Sequence, residues 1–450
     1  MLYAFISIFG ILLTIFIVIG IHESAHFFMA RWLNVKVLCF SIGFGKKLFS
    51  WHDKCGTEYI VAAVPLGGYV RMLDEAEGDV PENEKPFAYN RQPFYKKFLI
   101  VMAGPLSNLI SAFLFYWLIF VIGFATIKPI IGTVTPNSIA DLAGLNANQQ
   151  IVQIDNQDTP TWMEIIFQLL YHAGDQDQIK ISVIQNHQTK EHLLDATHWQ
   201  MDALTPDPLQ SLGITPYEPE IPLVIAYINP KSPAIAAGLK PGDKIIAIDN
   251  TAIKNWLMII ETITKNPEKS LNFTIERNNK RIIIPVEVGY QRNLFFQKSG
   301  FLGIAPSISW PPNMLQKIQY GPLEAISKAY DKVYDFTYIN LVLLGKMVTG
   351  KLSVQGLGGP ITIFETAGGA LNAGWLSFLS FLAFLSISIG VINFLPIPGL
   401  DGGHLFLQTI EAIIGKPIPE KIMIFLFRCG LFFILFVLIQ ALVNDLLRMF

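Results

Sequence analysis

Ile21-His22-Glu23-Ser24-Ala25-His26, a HExxH motif, closes an apolar run in which no residue from Leu2 to Ile21 carries charge. About 20 such residues cross the hydrocarbon core of a bilayer as a helix. The sequence therefore predicts a span over 1–30 with the motif on its last turns. Residues four apart share a helix face, so the His22 and His26 imidazoles can reach one metal ion, with Glu23 beside them. Such a pair most often holds zinc, which lowers the pKa of a bound water to about 7 while a neighbouring carboxylate takes the proton. A structural histidine or a proton relay is the competing explanation. Two His and a Glu within five residues, at a depth where an ionisable group costs about 3 kcal/mol, are hard to explain by packing.

The composition suits such a span. Of 450 residues, 52% are hydrophobic and 15% charged, with mean hydropathy +0.42; soluble domains carry about 25% charged residues. A membrane protein with a sizeable soluble portion follows. A net charge of -2 and the lack of a long Lys/Arg run give no case for nucleic acid. Cys39, Cys55 and Cys429 form no CxxC and no paired framework, so neither a disulfide scaffold nor a thiolate metal site is expected. The N-terminus has no basic region of the kind that precedes a cleaved signal, and the first span is read as retained.

Three further spans are predicted over 98–124, 373–395 and 422–443. Arg31, Lys36, Lys46 and Lys47 follow the first span, and Arg91, Lys96 and Lys97 precede the second. Lys416 and Lys421 lie between the last two, and Arg428 just inside the fourth. By the positive-inside rule, segments 31–97 and 396–421 are cytoplasmic and both termini lie outside. Ala103, Ser107 and Ser111 recur at a spacing that admits a close neighbour, with the first span as the expected partner. Asn108, on the same helix, is expected to hydrogen-bond, either between helices or in support of the site.

Between the first two spans, 56–73 carries apolar arms, Tyr59 to Val64 and Tyr69 to Leu73, around Pro65-Leu66-Gly67-Gly68. This is a hairpin signal, apolar enough to dip into the membrane and line the site. From 128 to 306 an internal repeat appears at a spacing of 94: Pro136 to Leu145 and Ile151 to Asn156 match Pro230 to Leu239 and Ile245 to Asn250, with Trp162 and Trp256 in register. Each copy, 128–216 and 217–306, resembles a PDZ domain, although Asn146 to Gln149 departs from Lys240-Pro241-Gly242-Asp243. Such domains bind extended peptide ends by strand addition; a steric filter without a ligand is the alternative. The linker 307–372 contains an amphipathic pattern from Tyr320 to Lys346, expected to lie on the membrane surface, and a turn at Gly356 to Pro360.

A catalytic zinc usually has three protein ligands. Met29 and Trp32 stand where a metzincin would have Gly and His after His26, so the third ligand must come from elsewhere. Glu58 and His404 are possible. Asp401, in Asn393-Phe-Leu-Pro396-Ile-Pro398-Gly399-Leu400-Asp401-Gly402, is the better choice: the first and third spans run in the same direction, so Asp401 meets His22 at similar depth.

HExxH at the end of a first span, N-x-x-P-x-P-x-x-D-G after a later one and two PDZ-like repeats between them resemble the site-2 protease family of intramembrane zinc proteases. The fold so implied is a multi-span α-helical membrane protein of four transmembrane helices, with a re-entrant β-hairpin and a soluble tandem PDZ (α+β) insert. The resemblance implies that His22, His26 and Asp401 hold Zn2+, that Glu23 is the general base and later acid, and that Asn393 steadies the substrate backbone or its developing oxyanion. It implies that Gly67, Gly68 and Tyr69 belong to a re-entrant β-loop that takes substrate as an added strand. The implied substrate is the transmembrane segment of a trimmed single-span protein, an anti-sigma factor or a remnant signal peptide, cut in an envelope stress response. The implied location is the bacterial inner membrane, in contact with lipid, with the repeats and both termini periplasmic and the active site near the cytoplasmic face. A non-enzymatic receptor sensing envelope peptides is the alternative from another class. A metal or proton transporter is disfavoured by the lack of repeat symmetry among the spans.

Overall fold

The computed structural model describes residues 2–448 apart from 77, 176 and 293–297. Helix α1 (Leu2–Trp32) is followed by strands β1 (Val37–His52) and β2 (Glu58–Met72), and then by α2 (Phe94–Ile122). The repeats come next, with helices α3 (Trp162–His172) and α4 (Trp256–Lys265). The chain ends in α5 (Pro322–Val348), α6 (Pro360–Ala373), α7 (Trp375–Phe394), α8 (Asp401–Ile414) and α9 (Glu420–Arg448). Residues 216–315 form one compact unit and the remainder of the chain another.

Four helices are long and apolar enough to cross a membrane: Ile6–Trp32, Phe94–Ile122, Trp375–Phe394 and Glu420–Arg448. These are the four expected spans. α2 packs against α1 and α7, burying Ala112, Tyr116, Ala383 and Ile387. α9 leaves Phe432 and Phe436 exposed, as a lipid-facing helix does. Its end is nevertheless anchored. The Asp445 carboxylate accepts from the backbone N–H groups of Gly359 (2.9 Å), Ile361 (2.9 Å) and Thr362 (3.1 Å), satisfying donors that the first turn of α6 cannot pair internally.

Two elements differ from expectation. α5 occupies the predicted amphipathic stretch but does not simply rest on a membrane surface: Ala325, Ala329, Phe336 and Ile339 are buried, and Phe336 stacks on Tyr116 of α2 with ring centroids 5.8 Å apart. α6 falls in what the sequence presents as linker. Gly368 and Gly369 lower its helix propensity, but Gly368 lets it pack on α1, where a Cβ would fall 2.1 Å from Ser7 Oγ.

The apolar arms around Pro65 to Gly68 do not pair with each other as a simple hairpin would. Both pair with β1: Phe40 lies opposite Tyr59 and Val70, and Ser41 opposite Ile60 and Tyr69. β1 thus runs between the arms. Its own second half folds back on the first arm, with Trp51 opposite Tyr59.

The two repeats have the same architecture. In the first, the strand order is 157–158, 150–154, 178–185, 188–195; in the second it is 251–252, 244–248, 270–277, 280–287. The divergent turn of the first copy keeps its geometry through substitution. Asn148 holds the left-handed φ of +66° that Gly242 holds at +94°, and Asn tolerates that region better than most residues. Buried Gln149 accepts the Asn146 N–H (2.8 Å) as buried Asp243 accepts that of Lys240 (2.8 Å). The Asp243–Arg277 ion pair (2.7 Å) is replaced by a neutral Gln149–Gln185 contact (3.3 Å). Burial pushes the Asp243 carboxyl up, but the Arg277 guanidinium and the Lys240 N–H outweigh it and hold the pKa below the ordinary carboxylate range.

The first repeat is tied to α5. Buried Lys346 donates to the carbonyls of Tyr171 and Ala173 (2.8 Å for the latter) and pairs with Asp175 (2.7 Å). A cation at the C-terminus of α3 is the favourable sign for its dipole.

Candidate metal centre

His22 and His26 project from α1 towards α2, and both are buried. Asp401 reaches them from the first turn of α8, just beyond α7. Pro396 and Pro398 cannot continue α7, and Gly402 and Gly403 let α8 start hard against that turn: a Cβ on Gly403 would lie 2.2 Å from the Ile397 carbonyl oxygen.

The three side chains converge. His22 Nε2 lies 2.9 Å and His26 Nε2 3.4 Å from Asp401 Oδ2, and the two nitrogens are 3.2 Å apart. Ligand atoms about 2.0–2.1 Å from a tetrahedral zinc stand about 3.3 Å from one another, so the triangle has the size that zinc requires. The donor set agrees. His26 Nδ1 contacts the Ile100 carbonyl oxygen at 2.7 Å. With the proton there, Nε2 keeps its lone pair and turns it into the triangle, where Asp401 Oδ2 is a buried oxygen without a hydrogen-bond partner. Among the described residues this is the one group of three or more His, Cys, Asp or Glu side chains positioned to hold a metal ion.

Glu23 shares the turn of α1 that carries the histidines, and Gly68 of β2 lies against it: a Cβ on Gly68 would come within 2.8 Å of Glu23 Cγ. Gly67 lies under Phe44, whose Cε2 would be 2.3 Å from an added Cβ. Tyr69 stacks on the Phe44 ring at 6.1 Å. Asn393, half-buried at the end of α7, makes no side-chain hydrogen bond among the described residues. Glu58 pairs instead with Lys47 at 2.6 Å, and His404 packs against Phe427 with the rings tilted and their centroids 5.0 Å apart; neither joins the triangle.

Two contributors carried no chemical signal in the sequence. One is the Ile100 carbonyl, a backbone atom. The other is Gly104: a Cβ there would fall 2.2 Å from His26 Nε2 and 2.8 Å from His22 Cε1. The second span is therefore a wall of the metal centre, and its A-G-P-x-S-N sequence is the only sign of it.

A HExxH helix completed by a carboxylate from a distant helix defines a metallopeptidase class. The chain matches the family described as Peptidase family M50 over residues 10–437, and it belongs to that family. It is 37% identical over 449 residues to the regulator of sigma-E protease RseP of Escherichia coli, covering 99% of this chain and 98% of that protein. It is 36% identical over 448 residues to the RseP of Salmonella typhimurium, with the same coverage. It is also 36% identical over 450 residues, again 99% and 98%, to a putative zinc metalloprotease of Vibrio cholerae. The protein is a zinc-dependent metalloprotease of the membrane.

Proposed function

We propose that this chain cuts a peptide bond inside the transmembrane segment of a single-span membrane protein already trimmed outside, in the manner of a sigma-E regulator protease acting on an anti-sigma factor in an envelope stress response; remnant signal peptides are a second substrate class. The observation that carries the reading is the triangle of His22, His26 and Asp401, closed within 3.4 Å at the end of an apolar span.

In this reading His22, His26 and Asp401 hold the zinc, which when bound would supply a Lewis acid and a water whose pKa is lowered to about 7. The Glu23 carboxylate takes the proton of the attacking water. As the C–N bond of the resulting tetrahedral species breaks, the Glu23 carboxyl returns that proton to the leaving amine. The Asn393 amide, without a side-chain hydrogen bond among the described residues, donates to the substrate carbonyl. A helical substrate hides its carbonyls in internal hydrogen bonds, so it must unwind first. Residues 68–72 pair with β1 on one side and with no strand on the other among the described residues; that free edge, with Gly67, Gly68 and Tyr69, replaces the lost bonds, acting as a re-entrant loop.

The chain sits in the inner membrane with both termini and the PDZ-like repeats periplasmic and the metal centre near the cytoplasmic face. The repeats take extended peptide ends and hold back substrates that keep a bulky outer domain. Residues 216–315 form a compact unit, so a chain lacking them should still cleave trimmed substrate and should now also cleave untrimmed substrate. Continued rejection of untrimmed substrate would take the second repeat out of the filter.

The main test is metal and cleavage together. Purified protein should carry one zinc and cleave a transmembrane reporter, and Asp401→Asn should lose both. Zinc-loaded wild type that leaves trimmed reporter uncut would favour a receptor with a structural metal.

A further inference from the structure

We propose that Asn108 of α2 is a positioning residue that sets the tautomer of His22, presenting its side-chain oxygen to a proton on His22 Nδ1 so that Nε2 keeps its lone pair for the metal. The inference rests on the reading of His22 as a zinc ligand.

Asn108 is fully buried, and its amide lies 3.2 Å from His22 Nδ1. With the nitrogen turned towards the ring, Asn108 Oδ1 is buried without a partner. That orientation also requires Nδ1 to accept, which places the ring proton on Nε2, the atom 2.9 Å from Asp401 and 3.2 Å from His26 Nε2. A proton there occupies the lone pair that zinc needs. Rotating the amide by half a turn, a change that leaves its shape almost unaltered, gives Oδ1 the ring N–H as a donor and frees His22 Nε2, while the amide nitrogen takes the position that Oδ1 held.

The arrangement then mirrors that of His26, whose Nδ1 meets the Ile100 carbonyl oxygen at 2.7 Å. Both acceptors come from α2, eight residues apart in the chain. One helix thus orients both imidazoles, and the partner of a ligating histidine's second nitrogen commonly changes metal affinity by about 10–100-fold. Asn108 differs from the Ile100 carbonyl in one useful respect: it can be replaced.

The test compares zinc affinity by chelator competition in the full-length protein. Asn108→Leu keeps the branched skeleton of Asn with bulkier ends, suits a membrane helix and removes the acceptor; it should weaken zinc binding by about 10–100-fold. Asn108→Asp can only accept when ionised, and it should bind zinc at least as tightly as wild type. A packing role predicts the opposite order, with Leu tolerated and a buried carboxylate harmful. Wild-type affinity in Asn108→Leu, or an Asp variant as weak as the Leu variant, overturns the proposal. Asp401→Asn measured alongside separates the two layers: zinc lost without Asp401 but undisturbed by Asn108→Leu refutes the tautomer role alone, whereas zinc held equally without Asp401 refutes the metal site itself.

Discussion

Glu23→Gln is expected to leave the zinc in place and to slow cleavage of a transmembrane reporter by about 10²–10⁴-fold, the usual contribution of a general acid–base group. Glutamine has nearly the shape of glutamate, so the 2.8 Å approach that a Cβ on Gly68 would make to Cγ is unchanged. His22, His26 and Asp401 form their triangle without it. What the amide lacks is a basic oxygen to take the proton of water and return it to the amine. Metal content by elemental analysis and single-turnover cleavage on the same preparation check both halves. Zinc retained with wild-type cleavage would place the base on another residue, and zinc lost would make Glu23 part of the metal's support.

The second large effect is expected from two glycines that act by taking up no room, with opposite fingerprints. Gly104→Ala puts a methyl group 2.2 Å from His26 Nε2 and 2.5 Å from Cε1, closer than atoms can stand. His26 cannot simply turn away, because its Nδ1 is held at Ile100 on the same wall. Either α1 and α2 separate or the imidazole leaves the triangle. Overpacking commonly costs about 1–3 kcal/mol, so zinc affinity should fall by roughly 10–100-fold, and cleavage with it. Gly68→Val meets Glu23 Cγ and the Ser41 carbonyl oxygen, each at 2.8 Å from its Cβ. It should keep the zinc and lose about 10²-fold in cleavage, the effect of moving a catalytic group by about 1 Å. Chelator competition and reporter cleavage on both proteins separate the two. A Gly68→Val protein that cleaves normally would take the β2 loop out of the site.

The structure agrees with the sequence wherever the signal is local. Apolar runs of helical length mark the four spans, and the 94-residue repeat returns as two sheets of the same strand order. HExxH spacing puts two imidazoles on one face. Even the departure at Asn146 to Gln149 follows local rules, since Asn148 and Gln149 stand in for Gly242 and Asp243 by conformation and hydrogen bonding. The two arms beside Gly67 were visible as strands, but the sequence could not show that β1 runs between them, because strand propensity says nothing about partner. α6 was hidden by its glycines, whose cost to helix propensity is offset by packing on α1.

By itself, then, the sequence determined the chain's periodic features: which segments are apolar enough to leave water, where the domain recurs and which face of α1 bears the histidines. Tertiary structure alone decided how the site is closed. The approach of Asp401 Oδ2 to within 2.9 Å of His22, the Asn108 amide and Ile100 carbonyl behind the imidazoles, and the clearance left at Gly104 and Gly68 are contacts between residues far apart in the chain. They depend on how helices and strands pack to within about 3 Å, and no residue spacing along one element encodes that distance.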